Sequence, residues 1–194
     1  MPADTSLATL PAARLNARIS AYLIDSAVLL GFILVFFSVA GLILLLNSDF
    51  GKQDAPDSAY YAFMAVLLGG TIIGWTLFNV ALTAWRGQTI GKYIIGIRTL
   101  SDDGAALGAG RACLRWIALH PLLFHPLLLP VWATFALFAT FLTLSQAVLV
   151  ITLAVLLLWI VSPVAAIATL LLDPSRRALH DRLAGTIVVH DGKR

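Results

Sequence analysis

The chain has 194 residues, of which 60% are apolar and 12% are charged. A soluble domain of this length needs about a quarter of its residues charged to cover its surface, so a water-soluble globule is the poorest reading, disorder and coiled coil are excluded, and an integral membrane protein is expected. The net charge of +3 comes from ten Arg and three Lys against ten Asp, with no basic run and no interleaved aromatics of the kind nucleic acids select.

The first apolar stretch, Ile19 to Leu46, carries one charge, Asp25. A cleavable signal sequence ending at Ser38-Val39-Ala40 is the competing reading. It fails because a signal core is short, carries no aspartate and stops, whereas this run continues past Ala40. The second stretch, Tyr60 to Trp85, has no charge, and Gly70 and Gly74 form a G-x-x-x-G suited to close helix packing. From Trp116 to Leu172 there is no Lys, Arg or Asp. A span needs about 20 residues, so this run predicts two spans, 116–141 and 147–172, with a turn at Thr143-Leu144-Ser145-Gln146. Pro121, Pro126 and Pro130 predict a kinked or interrupted third helix. The expected fold is all-α, with four transmembrane helices at about 19–46, 60–85, 116–141 and 147–172. It forms a single membrane domain over 1–194, with a loop 86–115 and a tail 173–194.

With four spans, twelve of the thirteen Lys and Arg fall on the side of the termini and only Lys52 on the other. This positive-inside bias predicts a multi-pass protein of the cell membrane, the inner membrane where there are two, with both termini cytoplasmic. On that side, Gly91 and Gly96 permit close approach or positive φ, and Asp102-Asp103-Gly104 signals a turn. In the tail, Asp173 is placed to cap a short helix starting at Pro174, running to about Ala184 and stopping at Gly185. Thr186–His190 reads as a strand. A lone strand in water is unstable, so it is expected to pair with Ile97–Leu100 in a small cytoplasmic cap.

Three blocks together resemble the RDD family, which is named for one arginine and two aspartates. They are Arg18 with Asp25; Gly87-Gln88-Thr89-Ile90-Gly91-Lys92 with Gly96-Ile97-Arg98; and Leu179-His180-Asp181-Arg182-Leu183-Ala184-Gly185-Thr186. The resemblance runs from about Asn16 to Val189. It matches the arginine to Arg18, the first aspartate to Asp25 and the second to Asp181, with Asp173 as the rival. Thr99 stands where members often have valine. The resemblance implies a small multi-span membrane protein, transport of unidentified ligands and, for some members, cation/proton exchange.

The charged and polar residues inside the apolar stretches are the candidate site. On a helix Arg14, Arg18 and Asp25 fall within about 40° of each other. Asp25 lies roughly 9 Å below the start of its span at 1.5 Å per residue. An ionised aspartate there costs on the order of 3 kcal/mol, so it must face protein, water or a partner. Two readings stand. In one, Asp25 pairs with Arg18, accepts from Asn79 and fixes packing. In the other, it carries a proton or cation. Thr76, Asn79, Thr83 and Arg86 share a face of the second span, and Asn79 sits near the depth of Asp25. His120 and the Ser162-Pro163 pair lie at or near this level. His120 and His125 beside the prolines are candidate ligands or titrating groups. The candidate binding set is therefore Asp25, Arg18, Asn79, His120 and His125, and the cap set is Asp181, His180, Arg98 and Lys92. Asp181 is expected to bind Arg98, Arg111 or Arg115. His180-Asp181 resembles half of a catalytic triad without a nucleophile, so no enzymatic activity is expected. No cofactor or metal is expected, and Cys113 is expected to be a buried small hydrophobe.

The leading function is transport of a small solute or cation, with proton coupling through Asp25. The alternative is a non-transporting subunit or scaffold whose cap docks a partner. The expected partners are the lipid bilayer, an unknown small solute or cation, and a second copy or another membrane protein, with no nucleic acid.

Overall fold

The computed structural model describes residues 10–120 and 129–191. It is mostly helical, with one small sheet. Helix α1 is Leu15–Asn47. Helix α2 (Asp57–Met64), a π-helical segment Ala65–Gly70 and helix α3 (Thr71–Arg86) run on as one helix, Asp57–Arg86. Helix α4 is Ile90–Ile95 and strand β1 is Ile97–Ser101. Helices α5 (Ala109–Leu119), α6 (Leu129–Thr143), α7 (Gln146–Leu172) and α8 (Leu179–Leu183) follow, and strand β2 is Thr186–His190.

Among the described residues three helices are long and apolar enough to cross a membrane: Leu15–Asn47, Asp57–Arg86 and Gln146–Leu172. They match the expected first, second and fourth spans to within a few residues. The expected third span, 116–141, is interrupted, as its prolines predict. Its first residues belong to α5, which ends at Leu119, and its later ones to α6, Leu129–Thr143. The break has a local cause. His120 precedes a proline, whose ring excludes the helical conformation from the residue before it, and His120 sits at φ −123°, ψ 71°. Helix α5 is also amphipathic. It buries Ala112, Arg115 and Trp116 at helical spacing. Cys113 falls outside that buried stripe and is exposed, which corrects the expectation that it is buried.

The long helices pack through aromatics. Leu29, Trp75 and Trp116 form a buried cluster with Phe32 and Phe78 against it. The G-x-x-x-G meets α1, since a Cβ on Gly70 would lie 2.5 Å from the Phe36 ring. Helices α6 and α7 form an antiparallel hairpin. Leu144 takes φ 49°, Ser145 caps α7 by accepting from the Val148 amide, and the Thr140 and Thr152 hydroxyls meet at 3.3 Å.

The cap forms where α1 begins and where α3 and α7 end. Strands β1 and β2 pair antiparallel, with Ile97 opposite His190 and Ser101 opposite Thr186. This is the expected pairing, one residue longer. The segment before α1 extends the sheet, with the Ala13 amide donating to Val188 O at 2.8 Å and the His190 amide to Pro11 O at 3.0 Å. On the other edge the Thr99 amide donates to Gly87 O at 2.7 Å. Both edges are thereby covered, which keeps a two-stranded ribbon from pairing elsewhere. The tail helix is shorter than expected. Asp173 accepts from the Ser175 and Arg177 amides, but Arg176 sits at φ 51° and breaks the helix, so α8 spans only Leu179–Leu183. Gly185, at φ 59°, ends it as expected.

Candidate functional site

Asp25 is held by the loop after the second long helix. Its Oδ2 accepts from the Thr89 hydroxyl at 2.6 Å, and its Oδ1 accepts from the Gly91 amide at 2.8 Å. The carboxylate therefore binds the first turn of α4, whose amides are unsatisfied within the helix and whose dipole favours a negative charge. Each residue of Gly87-Gln88-Thr89-Ile90-Gly91-Lys92 that differs from a generic loop has a task. Gly87 ends α3 at φ 68°, and its carbonyl closes the edge of β1. The Gln88 amide donates to Ile97 O at 3.0 Å and to Asp191. Thr89 caps α4. Gly91 is buried against α1, where an added Cβ would overlap the Ala21 carbonyl oxygen and lie 3.0 Å from Asp25 Cγ. Lys92 Nζ donates to Thr99 Oγ1 at 2.8 Å.

Asp181 forms a second cluster. It is fully buried and bridged by Arg18 from α1 and Arg115 from α5. It also accepts from the Ala178 amide at 3.2 Å, which caps α8. Arg18 continues to Arg176 O at 2.8 Å and Ala13 O at 3.2 Å, and Arg115 to Thr186 Oγ1 at 3.2 Å. This cluster joins α1, α5, α8 and β2. Burial alone would raise the Asp181 pKa, but the guanidinium groups of Arg115 and Arg18 outweigh it and hold the carboxyl well below the usual range. His180, 3.5 Å from Asp181, is pushed down to about 3 by burial and by Arg115, Arg18 and Lys92, against the pull of Asp181. It is neutral at physiological pH. Lys92 is lowered to about 7, first by burial and then by Arg115 and Arg18, with Asp25 and Asp181 opposing.

The two clusters border one cavity of about 290 Å³. Arg18 and Asp25 line it from α1, Asn79 and Thr83 from α3, Arg115 from α5 with His120 just past its end, and Ser162-Pro163 from α7. Lys92 and His180 line its cap side, and Tyr22, Trp75 and Trp116 supply much of its apolar wall. His120 is buried, with its ring 3.9 Å from that of Trp116 and 6.3 Å from that of Tyr22.

The structure thus gathers Asp25, Arg18, Asn79 and His120 around one space, with Lys92 and His180 from the cap set. His125 lies outside the described residues. Two expected contacts do not form. Arg18 binds Asp181 instead of Asp25, and Asn79 donates to Trp75 O at 2.9 Å instead of to Asp25. Of the three partners expected for Asp181, Arg115 is the one found. Arg98 binds Asp191 at 3.2 Å, and Arg111 lies 3.5 Å from Asp102. Asp173 is held by Arg177 and Arg182, away from Arg18. Thr89 and Trp116 were not singled out by the sequence. A threonine directly before the apolar residue that opens a short helix is a cap signal, and Trp116 shares a helical face with Ala112.

These features describe a small helical membrane protein with a polar layer where its long helices meet a folded cap. The chain belongs to the RDD family, whose family model matches residues 12–185. Neither a curated protein nor a solved structure matches it.

Proposed function

We propose that the protein carries a small solute across the cell membrane, with proton coupling through Asp25. The reading includes four crossings and cytoplasmic termini, and it rests in part on the asymmetry of basic residues. Helix α7 ends at the cap, so Ser145 lies a full helix length away from it. Helix α5 starts at the cap, and the chain must travel from there to Ser145. In this reading α5 and α6 together make a broken third crossing, the kind of element on which transporters place their sites. Four crossings are few for a solute path, so a homodimer belongs to the reading.

The observation that carries it is the cavity. It is bounded by α1, α3, α5 and α7, and it brings together Arg18, Asp25, Asn79, Thr83, Arg115 and Ser162 from those helices. Intramembrane ionisable groups are costly and default to function. Asp25 couples because it holds α4 only as an acceptor. A protonated carboxyl becomes a donor on one oxygen and loosens α4 from α1, which opens the cap side of the cavity. The test is proteoliposomes with an entrapped pH dye, challenged with sodium and with benzoate gradients. Proton movement above empty liposomes, lost in Asp25→Asn, is expected. The scaffold reading draws on the completeness of the Asp181 cluster, which joins four elements. No flux, together with a stoichiometric protein partner retained on purification, would establish it over transport.

A further inference from the structure

The ionisable groups around the cavity do not balance. Arg18, Arg115 and Lys92 are the basic groups, Asp25 and, behind Arg18 and Arg115, Asp181 are the acidic ones, and the histidines are His120 and the neutral His180. With Lys92 protonated, as it is below about pH 7, the basic groups exceed the acidic ones by one, and Lys92 is the basic group outside the close ion pairs. Asp181 is taken by Arg18 and Arg115, and Asp25 is taken by Thr89 and Gly91. Among the described residues, Arg18 and Arg115 are in close ion pairs with Asp181, whereas Lys92 feels Asp25 and Asp181 only at longer range. Its hydrogen bond goes to a neutral hydroxyl, Thr99 Oγ1, and an ammonium has three donors. Around it the wall is mainly apolar, with Tyr22, Trp75, Trp116, Leu119 and Ile167 facing the space. Trp75 lies eleven residues before Arg86 on α3, so the cavity runs from a cationic end at the cap to an aromatic end between the long helices. Its volume of about 290 Å³ is at the small end of ligand sites.

We propose that this cavity binds a small organic monoanion with an apolar body, its anionic head on Lys92 and its body against Trp75 and Trp116. This rests on the transport reading only for the claim that the anion is also moved. Binding itself stands or falls separately. A cationic solute would add to the excess charge, and a strongly hydrated inorganic anion would leave the aromatic end without a partner. The same chemistry is offered by a free carboxylate and by an anionic lipid.

The test uses full-length protein in phosphatidylcholine nanodiscs, titrated with benzoate and with benzylammonium, and read by isothermal titration and tryptophan fluorescence. Saturable benzoate binding is expected, with none for benzylammonium. Lys92→Met keeps most of the stem and removes the charge. It should weaken benzoate roughly tenfold or more, the scale of a charge-assisted hydrogen bond, without lowering the melting temperature, and Lys92→Arg should retain binding. If benzoate is silent but phosphatidylglycerol co-purifies stoichiometrically with wild type and is lost from Lys92→Met, the anion is a lipid and the proposal stands. Should Lys92→Met fail to fold, the wild-type comparison decides. Benzylammonium binding as tightly as benzoate overturns the anion site, as does silence from both benzoate and phosphatidylglycerol. Benzoate binding without flux would instead refute transport and leave this site intact. Sodium flux without benzoate or phosphatidylglycerol binding would do the reverse.

Discussion

Gly91→Ala is the sharpest single-residue change the structure offers. The new methyl group would lie 2.0 Å from the Ala21 carbonyl oxygen, a backbone atom that cannot rotate away. Helix α4 must retreat from α1, and Asp25 then loses the Gly91 amide. Overpacking of this kind costs about 1–3 kcal/mol, so a clear fall in melting temperature is expected. Wild-type stability in Gly91→Ala would show that α4 does not lie against α1. The change Asp181→Asn acts on the other cluster. It leaves Arg18 and Arg115, both largely buried, facing a neutral amide. Breaking a buried pair in this way can cost roughly 3–5 kcal/mol, and yield in detergent should drop accordingly. Arg18→Gln added to Asp181→Asn should recover part of it. The corresponding rescue of Asp25→Asn by Arg18→Gln is not expected, because Arg18 and Asp25 do not pair. The sequence places Arg18 and Asp25 on one helical face correctly. It does not reveal that Arg18 reaches across 163 positions of chain to Asp181, since helical periodicity reports only neighbours on the same helix.

At the scale of elements, the strands and the long helices were legible, and the reasons are physical. Thr186–His190 and Ile97–Ser101 are short β-branched runs that need each other, and three long apolar runs need a bilayer. The interruption of the third span was legible in its three prolines, although hydropathy alone carries no information about where the backbone breaks. The proline after His120 carried that information, and it marks the end of α5. The tail helix was overextended because Asp173 closes a turn with its side chain instead of starting a helix. Titration tests the seating of α8. His180 has its folded pKa lowered to about 3 by burial first. Between about pH 6.5 and pH 3 the unfolded chain therefore binds the proton more readily, and stability falls as pH falls through that window. Melting temperatures measured from pH 7 to pH 4 should decline, and His180→Gln should flatten the decline. Lys92 gives the complementary window. With its folded pKa at about 7 and an unfolded value of 10.5, the unfolded state again binds more protons between them, so stability rises with pH from 7 to 10.5. Lys92→Met should remove that rise. A rise unchanged in the variant would place the titrating group elsewhere.

For the whole molecule, the cap and the long helices are one object, since α1 packs on α4, the end of α3 bonds β1, α7 packs on α8, and the cavity lies between them. The four-crossing arrangement makes a direct prediction in a Cys113→Ser background. Cysteines at Gln53 and Asp103, both exposed, should be labelled by an impermeant thiol reagent from opposite faces, and labelling from the same face would contradict it. The transport claim is tested most directly by a cysteine at Thr83, which is buried and lines the cavity from α3. Its rate of modification by a small anionic thiosulfonate would be measured in proteoliposomes from each face in turn, with and without benzoate. If the cavity is a solute path, Thr83→Cys reacts from both faces and benzoate slows both reactions. Reaction from one face only, whatever gradient is imposed, would contradict transport through this cavity.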